Sequence, residues 1–185
     1  AIAHTFGVFV EPQEIINIGI QKISALDLKY AQENKLTIKL VARAYKVNGK
    51  VIGFVAPQYI PADHMLASVR NEYNAVLVEG AFAEKQVFIG KGAGSYPTGS
   101  AVLSDISALT FDYRYEYKKY TQNDGLSFSN EALVDVIISF PEGTLISHRD
   151  FVNFKGGYHG SGHQYLHGSV RLEKLKEWSE WDEVS

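Results

Sequence analysis

The stretch Gly90–Val102 reads GKGAGSYPTGSAV and constrains this chain more than any other. An apolar, β-prone run (Gln86–Ile89) precedes it, and Thr98–Leu109 follows with apolar residues at helical spacing. Pro97 suits a first helical turn, where a missing N–H costs nothing. The segment therefore reads as strand, glycine loop and helix start. Such a bend bares backbone N–H groups that an anion or the edge of a cofactor can approach closely. A tight strand-to-helix turn with no ligand fits the same residues. A dinucleotide fingerprint fits less well. Gly90 and Gly92 have its first spacing and Asp112 lies downstream, but Ser95 replaces the third glycine and Ala108–Asp112 makes no convincing strand.

Local signals place the other elements. Ala1–Phe6 reads as the last turns of a helix closed by Gly7. Ser24 is a good N-cap, with Asp27 in the first turn, for a helix to about Asn34. Leu36–Lys46 reads as a strand, Asn48-Gly49 as a hairpin turn and Lys50–Pro57 as the return strand, with Pro61 ending the run. Glu72–Phe82 and Lys85–Gly90 form a second hairpin by the same reasoning. Ser100–Leu109 is a helix. Beyond it Phe111, Tyr113, Tyr115 and Tyr117 alternate with charges, which favours a strand, while continuity favours a helix to about Tyr113. Thr121–Asn130 is polar and reads as a linker with an Asp124-Gly125 turn. Leu133–Phe140, a turn at Gly143, Tyr165–Leu172 and a closing helix Glu173–Trp181 complete the chain.

These elements imply an α+β fold. The expected form is a mostly antiparallel or mixed sheet, built from the two hairpins, with the Ser24 and Ser100 helices packed on one face. A small α+β tail over 121–185 follows a main domain over 1–120. The length of 185 residues suits one domain, or one with an appendage. A net charge of -3 gives no reason to expect nucleic acid or an anionic membrane as partner. With 0 cysteines, disulfides and thiolate chemistry are excluded, and a reducing cytoplasm fits. No apolar run approaches the ~20 residues of a membrane span. Ala1–Val10 has no signal-peptide pattern and begins mid-pattern, as a first element cut short would.

Other residues attract chemistry less. Lys39 lies in a strand and is expected on its exposed side. His159, His163 and His167 recur every fourth residue, with His148 nearby. On a helix that spacing would align imidazoles for zinc. Gly160, Gly162 and Gly168 argue against a helix, so the segment reads as a surface loop without metal. The alternating aromatics at 111–117 read as packing between main domain and tail rather than as a platform for single-stranded nucleic acid. Glu11, Glu14 and Glu79 are isolated carboxylates, and no nucleophile elbow or P-loop is present.

Five pieces in order resemble one family. They are GIQKISALDLKYAQ (Gly19–Gln32), TIKLVARA (Thr37–Ala44), VAPQYIPADHMLASV (Val55–Val69), YNAVLVEG (Tyr73–Gly80) and GKGAGSYPTGSAVLSDI (Gly90–Ile106). Together they resemble the C-terminal half of homoserine dehydrogenase, over Ala1 to about Ala108. The resemblance implies interconversion of L-homoserine and L-aspartate 4-semialdehyde by hydride transfer with NAD(P), in threonine, methionine and isoleucine synthesis. It implies that Gly92, Ala93, Gly94, Pro97 and Thr98 face the cofactor, with Gly94 against the nicotinamide end. It also implies that the catalytic lysine and the substrate-binding carboxylates lie upstream of Ala1. No catalytic residue is therefore assigned here, and the chain alone is expected to be inactive and to bind no cofactor. The same resemblance implies a substrate-cleft wall and a homodimer interface. The alternative is a non-catalytic ligand-binding or assembly module that retains the fold. The tail does not match the family's regulatory module.

Overall fold

A computed structural model describes residues 2–113, 125–160, 162–181 and 184. The chain divides into two compact units. One comprises the described residues of Ala1–Asn34, Ile38–Gln58 and Tyr117–Ser185; the other, those of Lys35–Thr37 and Tyr59–Glu116. Tail residues thus share a unit with the chain's first segments. The α+β class with a mixed sheet is observed.

The first unit opens with α1 (Ile2–Phe6), which Gly7 closes at φ 68° with its N–H on the Ala3 carbonyl at 3.0 Å. Strand β1 (Ile16–Asn17) and helix α2 (Ala25–Glu33) follow. The Ser24 hydroxyl accepts the Asp27 N–H at 3.1 Å and the Asp27 carboxylate accepts the Ser24 N–H at 2.8 Å. This reciprocal cap satisfies two otherwise orphaned donors. Ser24→Ala is expected to cost about 1 kcal/mol, read as a lower urea midpoint. An unchanged midpoint would show that the cap contributes nothing.

Strands β2 (Leu36–Val47) and β3 (Lys50–Pro61) pair through a turn in which Asn48 and Gly49 take φ 48° and 74°. Positive φ at both central residues matches the twist of paired strands. Strand β3 is the buried centre of its sheet. On its other edge it pairs in parallel with β1 (Ile16↔Phe54), and with the short strand at Ser127–Phe128 (Lys50↔Ser127). At Gly53 an added Cβ would meet Ile2 Cδ1 at 2.7 Å and Phe128 Cε2 at 3.3 Å. A glycine there lets α1 lie against the strand.

One detail of the expected sheet is corrected. The two hairpins do not merge: β4 (Tyr73–Gly80) and β5 (Glu84–Lys91) form a separate two-stranded sheet. Both edges of β3 are already taken, and β4 pairs along its whole length with β5. Helix α3 (Ser95–Leu109) follows in the second unit and buries none of its residues. It stops at Leu109 rather than near Tyr113. The Thr110 hydroxyl donates back to the Ser107 carbonyl at 2.7 Å, and Asp112 takes φ 55°, which breaks the helix. Phe111 lies in that turn; Tyr115, Tyr117 and Thr121–Asp124 lie outside the described residues.

With Ser127–Phe128 counted as β6, the tail holds β7 (Leu133–Pro141), β8 (Asn153–Gly160), β9 (His163–Arg171) and α4 (Leu172–Ser179). Their sheet runs β7-β9-β8, antiparallel throughout. One face packs Ile138, Phe140, Val170 and Trp178 into a core with Ile146 and Phe151. Leu172, fully buried, joins Ile16, Ile52 and Phe54 in a second cluster. The Lys22 ammonium donates to the carbonyls of Ser179 and Trp181 at 2.6 Å each. A cation there complements the negative end of α4.

The expected histidine loop is corrected too. His159 lies in β8, and His163 and His167 lie in β9. Gly162 turns between the strands at φ 76°, and Gly168 serves close packing. A Cβ on Gly168 would strike the Asn153 carbonyl and would approach Phe151 Cδ1 to 2.7 Å.

Candidate functional site

The Gly92–Thr98 bend forms where β5 hands over to α3. Its entry is tied to the start of β4. The Gly92 N–H donates to the Glu72 carbonyl at 3.2 Å, and the space a Gly92 Cβ would need is filled by the Asn74 side-chain amide. Lys91 Nζ lies 2.9 Å from the Glu72 carboxylate and 5.4 Å from the centre of the Tyr73 ring. That ammonium, helped by Glu72's own backbone, holds the Glu72 carboxyl below its usual range. Asn74, Glu72 and Lys91 were not singled out from the sequence, although Asn74 is the second residue of the YNAV strand and was visible there.

Gly94 takes φ 115° and ψ 154° as the residue capping α3. Side chains are essentially barred from that region. A Cβ would touch only the Pro97 ring, at 3.5 Å or more, so conformation rather than space demands glycine. The first helical bond runs from the Thr98 N–H to the Gly94 carbonyl at 3.1 Å. Pro97 has no N–H, so Ser95 and Tyr96 supply the donors ahead of that bond. Gly92, Ala93, Gly94 and Thr98 are exposed, and Pro97 is half-buried. The structure therefore places the five sequence-selected residues on one bend that opens to solvent. Bare Cα positions and two free-standing donors suit close contact with a flat or anionic group, and supply no acid or base.

The remaining candidates do not converge. Lys39 is half-buried in β2. Glu14 accepts the Glu11 N–H at 2.9 Å, and Glu79 lies 4.0 Å from Lys85. His159 pairs with Gln164, whereas His163 and His167 share the opposite face of the sheet. Among the described residues, no three His, Asp or Glu side chains gather as a metal site. Nor is any described helix long and apolar enough to cross a membrane.

The family model for homoserine dehydrogenase matches residues 1–107. The chain belongs to the homoserine dehydrogenase family, a family of oxidoreductases. It is 43 % identical over 93 residues to the homoserine dehydrogenase of Corynebacterium glutamicum, covering 48 % of this chain and 21 % of that protein. To the Lactococcus lactis homoserine dehydrogenase it is 35 % identical over 101 residues, covering 55 % of this chain and 24 % of that one. The homoserine dehydrogenase structure from Thiobacillus denitrificans superposes with a TM-score of 0.70 at 21 % identity, over 99 % of this chain and 48 % of that one. A Staphylococcus aureus homoserine dehydrogenase at pH 6.5 gives 0.62 at 23 % identity, over 100 % of this chain and 48 % of that one. These superpositions show a shared fold that extends through the tail. The chain spans about a quarter of its curated relatives and about half of these solved chains. The family match therefore covers the Gly92–Thr98 bend and ends within α3.

Proposed function

We propose that this chain is the substrate-binding and dimerisation region, over 1–120, of an NAD(P)-dependent enzyme that interconverts L-homoserine and L-aspartate 4-semialdehyde. The reaction serves threonine, methionine and isoleucine synthesis in the cytoplasm. The observation that carries this reading is the exposed bend at Gly94, held at φ 115° beside the start of α3. Gly92, Ala93, Gly94, Pro97 and Thr98 shape the nicotinamide end of the cofactor site. NAD(P) supplies the hydride acceptor or donor. The chain's own residues bring backbone donors and close contact; proton transfer belongs to a lysine outside these residues. The 121–185 segment is an extension packed with the N-terminal elements.

The assembly is a homodimer. In the second unit Val76 and Phe88, paired across β4 and β5, and Leu103 and Ile106 on α3 are all exposed. Phe88 is 61 % exposed and Leu103 67 %. Apolar side chains exposed on both the hairpin and the helix suit an interface. The experiment is to assay homoserine-dependent reduction of NAD(P)+ by the 185-residue chain and by the full-length protein, alongside sedimentation of both. Turnover by the full-length protein alone, with dimers, is expected. Robust turnover by the 185 residues would show the catalytic residues to be misplaced. A full-length protein without turnover would favour the non-catalytic module, and a monomer at high concentration would remove the interface.

A further inference from the structure

A cavity of about 190 Å³ lies in the first unit, between α2 and the face of the tail sheet opposite its core. Tyr30 comes from α2; Tyr158, Tyr165, His167 and Gly156 come from the sheet. The Tyr158 and Tyr165 rings stack, with centroids 4.5 Å apart and planes at 2°. Nothing lies within 4 Å of where a Gly156 Cβ would be, so the backbone leaves the cavity floor open. Neither the bend at Gly94 nor the apolar surface of the second unit involves these residues.

The chemistry of the lining has a sign. Burial first, then the Tyr30 hydroxyl and the Glu33 and Asp27 carboxylates, pushes the Tyr158 phenol up. Burial, Tyr158 and Asp27 push Tyr165 up to about 12, against a small opposing effect of the Ser139 hydroxyl. Burial, the larger cause, penalises a charge of either sign; the carboxylates, a smaller cause, give the sign. An anion entering here would meet the repulsion of Asp27 and Glu33 in addition to the cost of burial. A cation is favoured by the carboxylates and by the negative faces of the rings alike.

We propose that this cavity binds a small organic ammonium ion over the tyrosine faces. The probe pair is choline and 3,3-dimethyl-1-butanol, which share a shape and differ in charge. Binding of each to the 185-residue chain is followed by the NMR shifts of the tyrosine ring protons at about pH 8, where imidazoles are ordinarily neutral. Choline is expected to bind at least about tenfold more tightly than the alcohol, the factor that 1.4 kcal/mol of cation–π attraction would give. Tyr158→Leu should lose that margin, and Tyr158→Phe should keep it. Tyr158 is half-exposed, so neither change need disturb the fold, and the comparison on the unaltered chain stands without them. Equal affinities for the two probes, no binding of either, or an unchanged margin in Tyr158→Leu would overturn the assignment.

Discussion

Gly94→Ala in the full-length protein is expected to lower kcat/KM for homoserine oxidation by about 10- to 100-fold. The warrant is local. Gly94 holds φ 115° and ψ 154°, and an L-residue there costs about 1–3 kcal/mol. Nothing crowds the position apart from the Pro97 ring, so alanine would escape the strain by turning the peptide rather than by pushing a neighbour. Turning it re-aims the N–H groups of Ser95 and Tyr96 and carries the bend away from the place proposed for the nicotinamide. Because 1.4 kcal/mol is about tenfold in rate, the strain sets the size of the loss. The loss should appear mainly against NAD(P)+, as a raised KM, with sedimentation unchanged. Wild-type kinetics in Gly94→Ala would mean that the bend is only a tight turn. The same change at Gly99, exposed within α3 with nothing near it, should be neutral or slightly stabilising.

Trp178→Ala is expected to remove about 3–5 kcal/mol from the stability of the first unit. Trp178 is fully buried among Ile138, Phe140, Phe151 and Val170, with its ring 5.8 Å from that of Phe151. Truncation leaves a cavity bounded by a sheet whose strands are locked in register, so little collapse can fill it. A loss of that size is a large share of the roughly 5–15 kcal/mol that domains possess. Urea unfolding followed by far-UV circular dichroism measures it. Tyr96→Ala, at a position 90 % exposed in the second unit, should leave the midpoint unchanged. Equal effects at the two sites would deny that the tail holds a packed core.

The local devices were legible because each is written in a few adjacent residues. Asn48-Gly49 turns one hairpin, Ser24 with Asp27 caps α2, and Gly94 with Pro97 starts α3. Pairings between distant segments were not. Nothing near Lys50 announces that Ser127 will lie beside it, and that contact helps deny the second hairpin an edge of β3. The histidines show the same limit. Their spacing is regular, yet strand alternation and the turn between β8 and β9 put His159 on one face and His163 and His167 on the other. The site was half legible. Its glycines advertise themselves by type, whereas Asn74 acts by filling the space that Gly92 leaves, which only the register of β4 against β5 reveals.

The central claim is that the Gly92–Thr98 bend borders the reacting end of the cofactor. A crystal structure of the full-length protein with NAD(P)+ bound tests it most directly. The account predicts the nicotinamide ring in van der Waals contact with the Gly94 backbone, within about 4 Å. A ring seated elsewhere, with the bend still open to bulk water, would contradict it.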